Sequence, residues 1–230
     1  MGPRDSVMRR AGAVIDGRTG VAAHYGSPAG ELAVCTRAVG LADRSNLRKL
    51  EIGGGTLPDD FVVSLAGRPL AAGEARIGAA GGLYARSADR LVVLLDNGSA
   101  APATLGHPPG SLTVSDRSED WTVIGLAGPA TSRVLSDLGH LSEFAIAGSF
   151  AEVRIGSERV QLALPSERIA LVIAQAPAAA DVWQAIEAAG KPAGISYAGG
   201  EAFRRYALWE RIAHDRAAGQ GAVAASAAGA

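Results

Sequence analysis

Apolar and polar side chains change period repeatedly along this chain, and each change predicts an element. Gly30 to Val39 reads as a short helix burying Leu32, Val34 and Cys35, with Gly40 as its stop. Leu47 to Ile52 alternates apolar and charged positions, the pattern of a half-buried strand, and Gly53-Gly54-Gly55 predicts a turn. Pro58 to Leu65 follows as a helix with Phe61, Val62 and Leu65 inward. Leu83 to Ala85 and Leu91 to Leu95 form a hairpin whose second strand is apolar throughout and therefore central. Pro102, Pro108 and Pro109 predict a loop between lobes.

Beyond that loop, Leu112 to Ser115 and Trp121 to Leu126 read as strands bracketing the charged turn Asp116 to Asp120. Gly128-Pro129 opens a helix over Ala130 to Leu138, ended by Gly139. Phe150 to Ile155 and Val160 to Leu164 make a second hairpin, followed by a strand over Ile169 to Ala174. Helices are predicted from about Ala178 to Ala189 and from Glu201 to Ala217. Several hairpins interspersed with helices favour an α+β fold with antiparallel sheets over a doubly wound parallel one. The expected organisation is a loose arm over residues 1–20, a domain over 21–217 with lobes of about 21–115 and 116–217, and a disordered Ala/Gly tail over 218–230. No internal repeat stands out by residue identity, although each half shows a hairpin near a helix.

Composition narrows the function. With 48% hydrophobic residues over 230 positions the chain can fill a sizeable core, and a formal charge of -1 gives no field to gather nucleic acid. No apolar run reaches the length of a membrane span and no secretory signal opens the chain, so a cytoplasmic protein without membrane or nucleic-acid partners is expected. The single cysteine, Cys35, has no neighbour at metal-ligand spacing and reads as a buried thiol. The four histidines are isolated from one another, and zinc, nucleophile-elbow and phosphate-loop motifs are absent, so no metal site is expected.

Two separated segments carry a resemblance. Val34-Cys35-Thr36-Arg37-Ala38-Val39-Gly40-Leu41-Ala42-Asp43-Arg44-Ser45, continuing to Ile52, and the later Val123-Ile124-Gly125-Leu126-Ala127-Gly128-Pro129-Ala130 resemble, in family order, landmarks of the glycine-cleavage T-protein (aminomethyltransferase) family. The resemblance runs from about His24-Tyr25-Gly26 to Leu208-Trp209-Glu210. It implies two related α+β lobes meeting at a central tetrahydrofolate channel. The family's small C-terminal barrel has no counterpart, the Ala/Gly tail standing in its place. The family's catalytic Asp follows a Gly-Gly-apolar-apolar pattern, whereas Gly81-Gly82-Leu83-Tyr84 leads here into Ala85-Arg86, and Asp89 beyond reads as a solvated loop residue. An alanine neither takes nor holds a proton, so no catalytic residue is assigned.

The cofactor-contact residues implied by the resemblance are Tyr84, Asp96, Asn97, Gln161, Arg204 and Glu210. Each also has an ordinary structural reading. Asp96-Asn97-Gly98 is a turn signal, Gln161 replaces a family Glu and sits on a strand, and Arg204 and Glu210 share a helix pattern with Glu201 and Arg205. Two functions remain open: a divergent tetrahydrofolate-binding protein of one-carbon metabolism, with weak folate binding, or a non-catalytic subunit similar to the gamma subunit of heterotetrameric sarcosine oxidase. The second predicts an apolar patch near residues 192–212 covered by a protein partner. A third, an iron-sulfur folate accessory protein, lacks its Lys-Gly-Cys-Tyr motif here.

Overall fold

The computed structural model describes residues 11–78, 81–96, 99, 101–139 and 146–213. The fold is α+β: a curled sheet of eleven strands with helices packed on both of its faces. The chain enters through a small hairpin, β1 (Val14–Ile15) and β2 (Ala22–His24), and α1 (Pro28–Arg37). Strands β3 (Val39–Asp43) and β4 (Arg48–Gly53) lead to α2 (Asp59–Ala66), then β5 (Glu74–Ile77), β6 (Leu83–Arg86) and β7 (Leu91–Leu95). After β8 (Thr113–Asp116) and β9 (Trp121–Ala127) come α3 (Thr131–Asp137), β10 (Ser149–Ile155), β11 (Glu158–Ser166) and β12 (Ile169–Gln175). Helix α4 (Ala179–Gly190), strand β13 (Ile195–Tyr197) and a helix over 200–213, α5, complete the described chain.

The sheet order is β13-β3-β9-β12-β11-β10-β5-β6-β7-β4-β8, antiparallel throughout except for the parallel β13 and β3. Two halves repeat one plan. In the first, β4, α2, β5, β6 and β7 lie in the spatial order β5-β6-β7-β4; in the second, β9, α3, β10, β11 and β12 lie in the order β10-β11-β12-β9. They join where Ser149 of β10 pairs with Glu74 of β5. The strand that precedes each half pairs with the other half: β3 with β9, and β8 with β4. The lobes are therefore strand-exchanged.

Inward and outward side chains alternate, and both faces are apolar. On β12, Ile169, Leu171 and Ile173 enter the inner cluster while Ala170, Val172 and Ala174 pack under α3 and α4. On β7, Val92 and Leu94 point inward and Leu91, Val93 and Leu95 pack outward with Phe61, Val62 and Leu65 of α2. Burial on both sides explains the unbroken apolar run of β7. The inner cluster is closed by Ala202, Phe203 and Tyr206 of α5.

Gly40 departs from the expectation. The first helix stops at Arg37, with the Ala38 N–H donating to Val34, and Gly40 lies within β3. A Cβ there would fall 2.5 Å from the buried Cys35 Sγ, so the residue permits close helix–strand approach rather than ending a helix. The strands before and after the Asp116 to Asp120 turn also do not pair with each other, because each is drawn into a different lobe. Strands β3, β5 and β13 carry too short a pattern to stand out in the sequence. The predicted 218–230 tail lies outside the described residues.

Candidate functional site

A cleft of about 350 Å³ opens on the inner face where the lobes meet, with α5 as its roof. Its deepest charged residue is Arg44, in the turn between β3 and β4. The turn is set by Asp43, whose Oδ1 accepts from the Ser45 N–H at 2.8 Å, and by the Arg44 N–H donating to the Val123 carbonyl at 2.8 Å. The Arg44 residue is 4% exposed. One Nη bonds Asp96 Oδ1 at 2.9 Å, the other reaches the Gly200 carbonyl at 3.5 Å, and the guanidinium lies 5.3 Å from the Phe203 ring centroid. Its Nε is buried without a hydrogen-bond partner. Burial lowers the Arg44 pKa from its ordinary range, with Asp96 opposing and nearby Arg204 reinforcing the shift.

Helix α5 is held from both lobes. Glu31, buried in the first turn of α1, accepts from the Gly199 N–H at 2.8 Å just before α5, and from the Tyr25 N–H at 2.6 Å. Glu210 pairs with Arg168, in the turn between β11 and β12, at 3.3 Å. Arg211 extends toward Gly81 at the β6 end, where an added Cβ would lie 3.9 Å from its Nη1. Phe203 seats against β9 because Gly125 has no side chain: a Cβ there would stand 2.5 Å from the ring. The helical stripe Phe203, Arg204, Ala207, Leu208 and Arg211 faces the cleft. Leu208, at the cleft's edge, is 46% exposed, and beyond it Trp209 and Ile212 are 53% and 38% exposed.

The six residues singled out in the sequence fall in different places. Asp96 and Arg204 line the cleft. Glu210 stands outside its lining, in the ion pair with Arg168. Tyr84 points to the outer face of β6, packed under α2 in the cluster of Leu65 and Val93. Asn97 lies outside the described residues. Gln161 lines a second cleft, with its Oε1 buried and unpartnered. That cleft occupies the other end of the inner face: Ile169 and Leu171 of β12 border the first, Ile173 and Gln175 the second. Ala85, at the position after the Gly-Gly-apolar-apolar pattern, is fully buried in the inner apolar cluster, and Asp89 is exposed, accepting from the Ser87 hydroxyl at 2.9 Å.

Arg44, Phe203 and Arg211 were not anticipated, yet a signal existed. Asp43-Arg44-Ser45 recurs as Asp116-Arg117-Ser118, and the two turns occupy equivalent places in the repeated plan. Asp116 Oδ1 accepts from the Ser118 N–H at 3.0 Å, and the Arg117 N–H donates to Lys49 at 2.8 Å, matching the bonds of the first turn. The Ser45 hydroxyl accepts from the Val123 N–H and the Ser118 hydroxyl from the Lys49 N–H. The buried Lys49 ammonium joins the turns, donating to the Ser45 carbonyl at 2.7 Å and the Ser118 carbonyl at 2.9 Å. The equivalent arginines have diverged. Arg44 is buried against α5, whereas Arg117 lines the second cleft and pairs with Glu51 and Asp120 at its surface.

The amine and amide edge of a pterin asks for a carboxylate acceptor. Asp96, the acid in the lining, gives Oδ1 to Arg44 at 2.9 Å. Among the described residues no group of three or more His, Cys, Asp or Glu side chains is placed to hold a metal ion, and no helix is long and apolar enough to cross a membrane.

Fold and cleft together define an α+β protein of two repeated halves, with a cationic cleft under its last described helix. Solved structures share that fold. At 18% identity and a TM-score of 0.64, the chain is similar to the glycine cleavage system aminomethyltransferase T from Bartonella henselae, covering 87% of this chain and 59% of that one. It is also similar to a chain of the heterotetrameric sarcosine oxidase from Corynebacterium sp. U-96, at 19% identity and a TM-score of 0.54, over 74% of this chain and 93% of the other. Such identities show the shared fold alone. No family model and no curated protein matches the sequence.

Proposed function

We propose that this chain is a non-catalytic, T-protein-like subunit of a multi-chain enzyme, of the gamma type in a sarcosine-oxidase-like or demethylase complex, with another subunit covering α5. The observation that carries this reading is the exposed set Leu208, Trp209 and Ile212 on the roof helix. Three large apolar side chains clustered on one helix, within the 192–212 segment where a covered patch is expected, form a patch that a second protein would remove from water. The absence of an acid at Ala85 and the engagement of Asp96 by Arg44 support a role without proton transfer in the cleft. Native-mass measurement on protein purified from its source should find a stoichiometric complex that Trp209→Ser weakens. A lone monomer in both cases would remove the reading.

A second reading, a tetrahydrofolate-binding protein of one-carbon metabolism, is supported by the shared fold with a glycine-cleavage aminomethyltransferase. The pairing of Asp96 with Arg44, which competes for the cleft's carboxylate, weighs against it. Calorimetric titration with tetrahydrofolate separates the two: micromolar affinity in the isolated chain favours the folate reading, and millimolar or weaker affinity favours the subunit.

A further inference from the structure

The charges around the first cleft do not balance. Arg44 and Asp96 neutralise each other, which leaves Arg204 and Arg211 facing the same space with no carboxylate partner among the described residues. Arg204 spends its Nε on the Gly200 carbonyl at 3.3 Å, so both its Nη groups remain to donate. Arg44 adds a buried Nε without an acceptor. The walls between these cations are apolar: Ile77, Pro165, Leu171 and Phe203. A small-molecule pocket typically has this character, a mostly hydrophobic lining with a few convergent polar groups.

Spacing narrows the ligand. Arg204 and Arg211 lie seven positions apart on α5, which at 1.5 Å per residue sets their Cα atoms about 10 Å apart along the axis. Guanidinium groups bind carboxylates through paired N–H donors. We propose that this cleft binds an elongated organic dicarboxylate with a flat apolar body, one carboxylate at Arg204 beside the Arg44 Nε and the other at Arg211, the body lying along Phe203 and Leu171. The site rests on Arg204, Arg211 and Arg44, whereas the subunit reading rests on Trp209 and Ile212, with Leu208 on the border of both.

The test is calorimetric titration of the intact chain with terephthalate, benzoate and the neutral terephthalamide. Terephthalate should bind at least tenfold more tightly than benzoate, terephthalamide should not bind, and raising the salt from 50 to 300 mM should weaken terephthalate severalfold. Arg204→Gln and Arg211→Gln should each lower terephthalate affinity at least tenfold while leaving the thermal midpoint within about 2 °C. Equal binding of the amide, or unchanged affinity in both variants, overturns the proposal. Tetrahydrofolate, titrated alongside, distinguishes the source of the anion. If it binds and the arginine variants weaken it as they weaken terephthalate, its dicarboxylate tail occupies this site; if it binds and they leave it unchanged while terephthalate fails to bind, the cleft reads the pterin instead and the proposal falls. Loss of the subunit complex in Trp209→Ser tests the other reading and does not bear on this one.

Discussion

The seating of α5 on β9 depends on a missing methyl group, and Gly125→Ala tests it directly. The added Cβ would stand 2.5 Å from Phe203 Cε2, 2.8 Å from Cζ and 3.1 Å from Arg44 Cγ. Carbon atoms in contact sit at about 3.5–4.0 Å, so the ring must retreat by roughly 1 Å and carry the helix with it. Overpacking of this kind costs about 1–3 kcal/mol. Alanine also restricts the unfolded chain, which offsets about 0.4–1 kcal/mol because the backbone at residue 125 is ordinary strand. The net loss is about 1–2 kcal/mol, and for a domain of this size that lowers the melting midpoint by about 2–8 °C. Urea unfolding followed by circular dichroism measures it. Trimming the ring in the double variant Gly125→Ala with Phe203→Leu should recover part of the loss, as a coupling of about 0.5–3 kcal/mol between contacting residues. A Gly125→Ala protein as stable as the parent, or effects of the two changes that simply add, would refute the argument.

Other expectations follow from the same packing. Lys49→Met leaves the Ser45 and Ser118 carbonyls without their donor and should cost about 2–6 kcal/mol, at about 1–3 kcal/mol per group; an unchanged urea midpoint would count against Lys49 as the joint between lobes. Cys35, fully buried and with its thiol pushed up to about 11 chiefly by burial and then by Glu31, should resist a disulfide reagent at pH 8 until urea is added. Burial raises all four tyrosines, Tyr25, Tyr84, Tyr197 and Tyr206, above the ordinary 10.0, with Tyr206 raised to about 12. Between pH 10 and 12 the unfolded chain has therefore lost phenolic protons that the native chain keeps, so stability present below pH 10 should fall as pH rises through that window. Absorbance titration at 295 nm should show native phenols ionising later than urea-unfolded ones, and coincident curves would contradict this.

What could be read from the chain was whatever depended on neighbours in sequence. The apolar run Leu91 to Leu95, the hairpin around Gly156 and the helix after Asp59 are local patterns, and each forms where it was expected. Strand order is not local. Val39–Asp43 carries a glycine that reads as a helix stop, and only pairing with β9, more than eighty residues later, makes it a strand. The charges of α5 show the same limit. Arg204 and Arg205 are adjacent in sequence, yet Arg204 faces the cleft while Arg205 pairs outward with Glu201. A helical pattern ranks neither until the sheet beneath it is placed. Arg44 passed unremarked because a tripeptide recurring between dissimilar strands gives too little identity to register as a repeat.

The exchanged strands decide how the cleft can be reached. Because β3 is zipped to β9 and β8 to β4, prising the halves apart like a clam would strip two backbone ladders at once, so hinge opening is closed to this molecule as a route for small molecules. The way in runs beneath α5, which is footed by side-chain contacts at Arg168 and Glu31 and not by a backbone ladder. The width of that entrance is therefore set by two carboxylates, Glu31 and Glu210, far apart in the chain.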